Sequence, residues 1–171
     1  NSKDLCMIEH IPEMFDTGVD SYKIEGRMKT ALYVATVART YRKALDDYME
    51  DPELYKKNMP WYLDQISNCT YRQFTTGFFF GKPDEDAQIY DSNTYVKEYT
   101  YLGIVGEQNA DGLYRIEQRN KFSVGEVIEV MKILNEEGEA MESAPHPKQV
   151  LYIDLGHTLE QYDILRRKEE E

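Results

Sequence analysis

The sequence predicts an α+β chain: a mostly helical α/β unit over residues 1–92, then a small all-β barrel over residues 93–171. Three features predict it. Val34, Val37, Tyr41, Leu45 and Tyr48 recur at three- and four-residue steps, the stripe of an amphipathic helix. A polar motif, Lys23-Ile24-Glu25-Gly26-Arg27-Met28-Lys29, sits between a strand-like run and that helix. From Tyr95 onward the apolar period changes to two, with turn residues between short segments.

The elements follow in chain order. Leu5, Ile8, Ile11 and Phe15 have helical spacing, with Gly18 as a stop and Pro12 as a kink or a new first turn. Residues 19–24 read as a strand leaving the Gly18 turn. The helix over 29–48 ends in Asp46, Asp47, Glu50 and Asp51, which oppose its dipole, so fraying and a stop before Pro52 are expected. Residues 53–66 allow one or two short helices around Pro60 and Trp61. Thr75 to Pro83 is an aromatic run bracketed by Gly and Pro, and Asp84-Glu85-Asp86 reads as a solvated link. Strands are expected at 95–106, 113–118, 126–133, 149–155 and 162–166. Turns at Ala110-Asp111-Gly112, Glu136-Glu137-Gly138 and Pro145-His146-Pro147 separate them. Short strands at this spacing suggest a small closed barrel or a sandwich.

Composition sets limits on function. With 41% hydrophobic residues the chain can bury a core, and 14 Tyr against 6 Phe suggest many half-buried rings with polar tips. The net charge of −12 argues against a nucleic-acid footprint over the whole chain, so any RNA contact must use a local basic face. No apolar run approaches a membrane span, and two cysteines are too few for a disulfide scaffold. The chain opens on Asn inside a motif, so a piece of a longer protein is expected.

The Lys23–Lys29 motif has two readings. In one, Arg27 forks onto a carboxylate or phosphate, Gly26 lets the backbone approach, and the following helix adds its dipole. In the other, Glu25 and Arg27 form an ion pair at a helix start. Cys6 stands four residues before His10; on a helix the two would share a face and form half of a metal site, or be structural. Cys69, His146 and His157 read as ordinary side chains. There is no Gly-x-Ser-x-Gly elbow, no His-Glu-x-x-His and no phosphate-cradling Gly loop. Farther on, Arg115, Arg119 and Lys121 cluster near one strand, and Arg166, Arg167 and Lys168 close the last one. The clusters could meet on one face and track a phosphate backbone, although residues 94–171 carry nine basic and sixteen acidic groups and a solvated pattern is the simpler reading.

Several motifs in order carry a resemblance. The chain has Asn1-Ser2-Lys3-Asp4-Leu5-Cys6, then Lys23 to Lys29, Tyr33-Val34-Ala35-Thr36-Val37 and Thr75-Thr76-Gly77-Phe78. Ile116 to Gly125 and Ala144-Pro145-His146-Pro147 follow. Together they resemble the C-terminal half of the collagenase-like peptidase family U32, with Tyr71 before Arg72 as a departure where His is expected. The resemblance implies the last part of a TIM-like (β/α) barrel followed by a C-terminal β-barrel. It also implies prephenate-dependent hydroxylation of RNA, either the tRNA wobble uridine or a ribosomal cytidine, in the cytoplasm. Cys6 matches one of four Cys ligands of a four-iron, four-sulfur cluster whose other ligands would lie upstream, so no cluster is expected in this chain alone. Lys3, Asp4, Glu25 and Arg27 would line the barrel edge, where Arg27 or Lys3 could grip the carboxylates of prephenate. The β-barrel would present RNA through Arg115, Arg119, Lys121, Arg166, Arg167 and Lys168. Two alternatives stand beside this: a non-catalytic module binding RNA or protein, and a genuine peptidase. Apolar faces of an incomplete barrel would favour a homodimer.

Overall fold

A computed structural model describes residues 3–69, 72–83, 99–124, 132–135, 138–141, 143 and 148–168. The chain divides into two compact units, Asn1–Glu98 and Tyr99–Glu171. The expected boundary near residue 92 lies outside the described residues, as do Asn1, Ser2, Tyr71, Asp84 to Asp86, residues 126–131 and Ala144 to Pro147.

The first unit begins with β1 (Asp4–Leu5), a 3-10 turn (Ile8–His10) and α1 (Ile11–Asp16). Pro12 stands in the first turn of α1, where its missing N–H costs nothing, so it starts a helix and does not kink one. Gly18, at φ 69°, ends the segment and donates its N–H to the Phe15 carbonyl. Residues 19–24 form no strand, contrary to expectation. Strands require a ladder partner, and here every residue but Tyr22 is exposed.

Two helices make the body of this unit. In α2 (Ala31–Glu50), the Thr30 side chain caps the start by accepting the Tyr33 N–H at 3.2 Å. The helix stops before Pro52 as expected, with Asp51 extended, the conformation a residue preceding proline prefers. Asp51 then caps α3 (Pro52–Ser67) through the Glu53 N–H at 2.9 Å, and α3 runs unbroken with Pro60 inside it. The inward side of α2 is wider than the expected stripe: Val37 is buried and Tyr41, Leu45 and Tyr48 pack against the core as expected, Leu32, Thr36, Thr40, Ala44 and Asp47 face inward too, and Val34 is exposed. Polar groups can sit there because they are satisfied. The Thr40 hydroxyl donates to the Thr36 carbonyl, and Asp47 accepts from Lys43, Asn58 and Tyr62. Ile8, Ile11, Ala44, Tyr55, Tyr62 and Ile66 form the core, and the Tyr55 hydroxyl ties α3 to the 3-10 turn through the Ile8 carbonyl at 2.8 Å. The short β2 (Phe74–Thr75) closes the unit by pairing in parallel with β1, Asp4 opposite Phe74.

The second unit is a sheet ordered β6-β5-β7-β4-β3-β8. Its strands are β3 (Tyr99–Gln108), β4 (Tyr114–Gln118), β5 (Lys132–Leu134), β6 (Ala140–Met141), β7 (Val150–Asp154) and β8 (Ile164–Lys168), all antiparallel to their neighbours. The β3–β4 hairpin turns at Gly112, φ 83°, where the Asn109 side chain accepts the N–H groups of Asp111 and Leu113. One face of the sheet supplies Leu102, Val105, Tyr114, Ile116, Leu151, Ile153 and Leu165 to a core that also holds Phe122 and Leu155. Among the described residues the edge strands β6 and β8 are not paired with each other, so the sheet is open there.

Candidate functional site

In the first unit the site is organised by Asp4. Pairing with β2 fixes its backbone through an N–H···O bond to Gln73 at 2.9 Å. Its Oδ2 accepts the backbone N–H of Arg72 at 3.0 Å and lies 3.5 Å from Lys29 Nζ. Lys29 is held from two sides: a turn joins its N–H to the Gly26 carbonyl at 2.9 Å, and its ammonium lies 5.0 Å from the Tyr33 ring centroid. A Cβ on Gly26 would meet Val34 Cγ2 at 2.9 Å, so the exposed Val34 side chain would have to shift to admit one. Residues Asp4, Lys29 and the Arg72 backbone therefore make a partly buried polar cluster beside the parallel pair.

The other motif residues lie apart from it. Glu25 pairs with Lys23 at 3.5 Å and accepts the Arg27 backbone N–H at 3.3 Å, so the loop folds on itself through the backbone of Arg27 and not through its guanidinium. The Arg27 side chain is exposed, and Lys3 is half-buried at the start of β1. Sequence reasoning singled out Arg27 and missed Lys29 two residues on; the signal that separates them is a partner at Asp4, far away along the chain.

Cys6 follows β1, and its N–H donates to the Thr75 carbonyl at 2.9 Å. Its Sγ lies 3.6 Å from the Tyr41 hydroxyl, which accepts the Met7 N–H at 2.8 Å. With a lone pair engaged by that N–H, the Tyr41 proton is free to point at sulfur. Burial pushes the Cys6 thiol up, partly offset by the Ile8 backbone and by Tyr41. Burial likewise pushes the Tyr41 phenol up, which keeps its proton in place. Cys6 precedes the first helical residue, so the helical spacing to His10 does not apply. The His10 ring instead packs edge-on to Phe80 at 4.6 Å and meets Glu13 at 3.3 Å. Cys69, the second and last cysteine, is buried near the Gln65 carbonyl. Four thiolates are needed for a four-iron, four-sulfur cluster, and these residues do not supply them. Among the described residues no group of three or more His, Cys, Asp or Glu is placed to hold a metal ion.

In the second unit the candidate surface is the sheet face opposite the core. Alternation along β4 and β8 puts Arg115 and Glu117, and Ile164, Arg166 and Lys168, on this outer face. Register aligns them with β3: Tyr99 opposite Lys168, Tyr101 opposite Arg166, Ile104 opposite Glu117. Tyr152 of β7 lies opposite Arg115. The Arg166 guanidinium lies 4.3 Å from the Tyr99 ring centroid. Arg119 pairs with Glu117 at 2.6 Å. Burial pushes the Tyr101 phenol up against the opposing pull of the neighbouring Arg119 guanidinium. Of the predicted basic residues, Arg167 falls on the other side of β8 and Lys121 beyond the end of β4, so four of the six share one face.

The family model for peptidase family U32 matches residues 1–89, and that for the peptidase family U32 C-terminal domain matches residues 97–166. A tRNA hydroxylation protein P1 of Bacillus subtilis (strain 168) is 34% identical over 178 residues, covering 96% of this chain and 42% of that protein. A tRNA hydroxylation protein P of Escherichia coli (strain K12) is 33% identical over 186 residues, covering 98% of this chain and 39% of that protein. A protein named collagenase, from Porphyromonas gingivalis, is 33% identical over 102 residues, 59% of this chain and 28% of that protein. The chain thus spans about two-fifths of the length of the first two relatives.

Proposed function

We propose a function from one premise: the chain belongs to peptidase family U32. It forms the C-terminal part of a tRNA-hydroxylating protein, acting on the wobble uridine, and its β unit presents the RNA. What carries the reading is the match along 96% of the chain to a relative named for tRNA hydroxylation. Residues 1–92 are the last part of a TIM-like (β/α) barrel, a reading supported by the parallel β1–β2 pair with helices between its strands. Residues 93–171 are the C-terminal β domain, whose sheet is open between β6 and β8 among the described residues.

In the complete protein Lys3, Asp4, Glu25 and Arg27 line the barrel edge, joined by Lys29. Arg27 or Lys3 grips a carboxylate of the prephenate co-substrate, a role that favours the planar fork of Arg. Cys6 supplies one thiolate to a four-iron, four-sulfur cluster completed by cysteines elsewhere in that protein. The setting is cytoplasmic; among the described residues no helix is long and apolar enough to cross a membrane.

Arg27→Ala in the full-length protein tests the assignment through mass spectrometry of cellular tRNA. The expected result is a loss of hydroxylated wobble uridine of at least about ten-fold, the scale of losing one charge-assisted contact. Normal hydroxylation removes Arg27 from the site. The collagenase name favours a second reading, peptidase activity; proteolysis by the purified full-length protein, abolished by a point substitution in it, would establish that instead.

A further inference from the structure

We propose that the outer face of the β-sheet takes an unpaired stretch of RNA, with a base stacked on the Arg166–Tyr99 pair and phosphates meeting Lys168, Arg119 and Arg115. The inference rests on the reading that this unit contacts RNA and names the form of RNA that it takes.

Arg166 carries the argument. Its guanidinium carbon lies 4.3 Å from the Tyr99 ring centroid, a cation–π pair that offers a charged and aromatic platform. Arg166 and Tyr99 are both half-buried, so part of the pair is accessible to a base. An exposed base has a π-face to lay on such a platform, whereas a duplex keeps its bases stacked inside.

The rest of the face continues the track. From Tyr99 to Gly106 the strand runs about 20 Å at the usual rise of a β residue. Lys168 stands at one end and Arg119 in the middle, its N–H bonded to the Leu102 carbonyl at 2.7 Å. Arg115 stands at the other end, its guanidinium reaching toward the bare backbone of Gly106. A Cβ on Gly106 would lie 3.2 Å from the Arg115 carbonyl oxygen and 3.6 Å from Arg115 Nη1, so the two residues are close neighbours across the strands. Tyr152, opposite Arg115, adds a second ring at that end. Among the described residues, alternation along β4 and β7 puts two carboxylates on this face: Glu117, paired with Arg119, and Asp154, whose Oδ1 accepts the Gly156 N–H. Arg115, Arg166 and Lys168 therefore leave the face positive although the chain as a whole is acidic.

The test uses the 171-residue chain, fluorescence anisotropy, and two probes of equal length: oligouridylate and a perfect RNA duplex. The native chain is expected to prefer the single strand. Tyr99→Ala and Arg166→Lys should each weaken single-strand binding roughly ten-fold, the scale of one stacked base. Arg166→Lys keeps the charge, so its salt dependence should match that of the native chain. Tyr99→Phe keeps the ring and should bind normally, which separates stacking from misfolding. Equal affinity for both probes, or native affinity in Arg166→Lys, overturns the stacking inference and leaves RNA contact through phosphates standing. No binding to either probe at low salt overturns both.

Discussion

Asp47 shows what a single buried carboxylate does in this chain. It is 6% exposed and joins α2 to α3 by accepting from Lys43, Asn58 and the Tyr62 hydroxyl. Burial pushes its carboxyl up, but those three donors outweigh it and hold it below the ordinary carboxylate value. Its stabilisation is therefore complete above that value and is lost as the pH falls through the lower folded one. Asp47→Ala should cost about 3 kcal/mol, because it leaves buried donors without an acceptor, and should flatten the loss of stability as the pH falls below the ordinary carboxylate value. Urea unfolding across that range checks both. Cys6 gives the opposite case. Its raised thiol should react with iodoacetamide more slowly than free cysteine near neutral pH, with the rate climbing only above the ordinary thiol value. Fast labelling at Cys6, located by peptide mass spectrometry, would contradict the burial. Neither behaviour was legible in the sequence. Asp47 read as one of four acidic residues at a helix end, and Lys29 read as less interesting than Arg27. What separates them is a partner brought close by folding, which local spacing does not carry.

At the level of elements, local signals worked where the chemistry is local. Gly18 as a stop, the helix end before Pro52 and Gly112 as a turn all act within a few residues of themselves. The strand expected at 19–24 failed for the converse reason, since a strand is defined by a neighbour. The apolar part of the α2 stripe, Val37, Tyr41, Leu45 and Tyr48, was legible, and its polar part, Thr36, Thr40 and Asp47, was not, because hydrogen bonding lets those residues face in. In the sheet, β6 passed unnoticed because two residues are too short to show alternation. Gly103 is an element-level constraint: a Cβ there would meet Ile116 Cγ2 at 2.8 Å and the Glu117 carbonyl oxygen at 2.9 Å. Gly103→Ala should therefore destabilise the chain by about 2 kcal/mol, since the backbone of β4 must move. An unchanged melting temperature would show that β3 and β4 have slack.

For the whole molecule, two units with separate chemistry account for the sequence better than a single site does. The helical unit gathers Asp4, Lys29, Cys6 and Tyr41 beside a short parallel pair. The sheet unit sets Arg166, Lys168, Arg119 and Arg115 on one face with Tyr99 and Tyr152. The change of apolar period from helical to alternating was legible along the chain, and helices do precede the six-stranded sheet. The grouping of basic residues was legible only in part. Strand parity sends Arg167 to the face opposite Arg166, and the expected end of the last strand, at 166, fell short of where β8 ends. The central proposal is that the complete protein hydroxylates tRNA. Its most direct test supplies the full-length gene to bacteria whose own related hydroxylation genes have been deleted, followed by nucleoside mass spectrometry of their tRNA. Reappearance of hydroxylated wobble uridine is the predicted result; tRNA that stays unhydroxylated while the protein accumulates in folded form would contradict the claim.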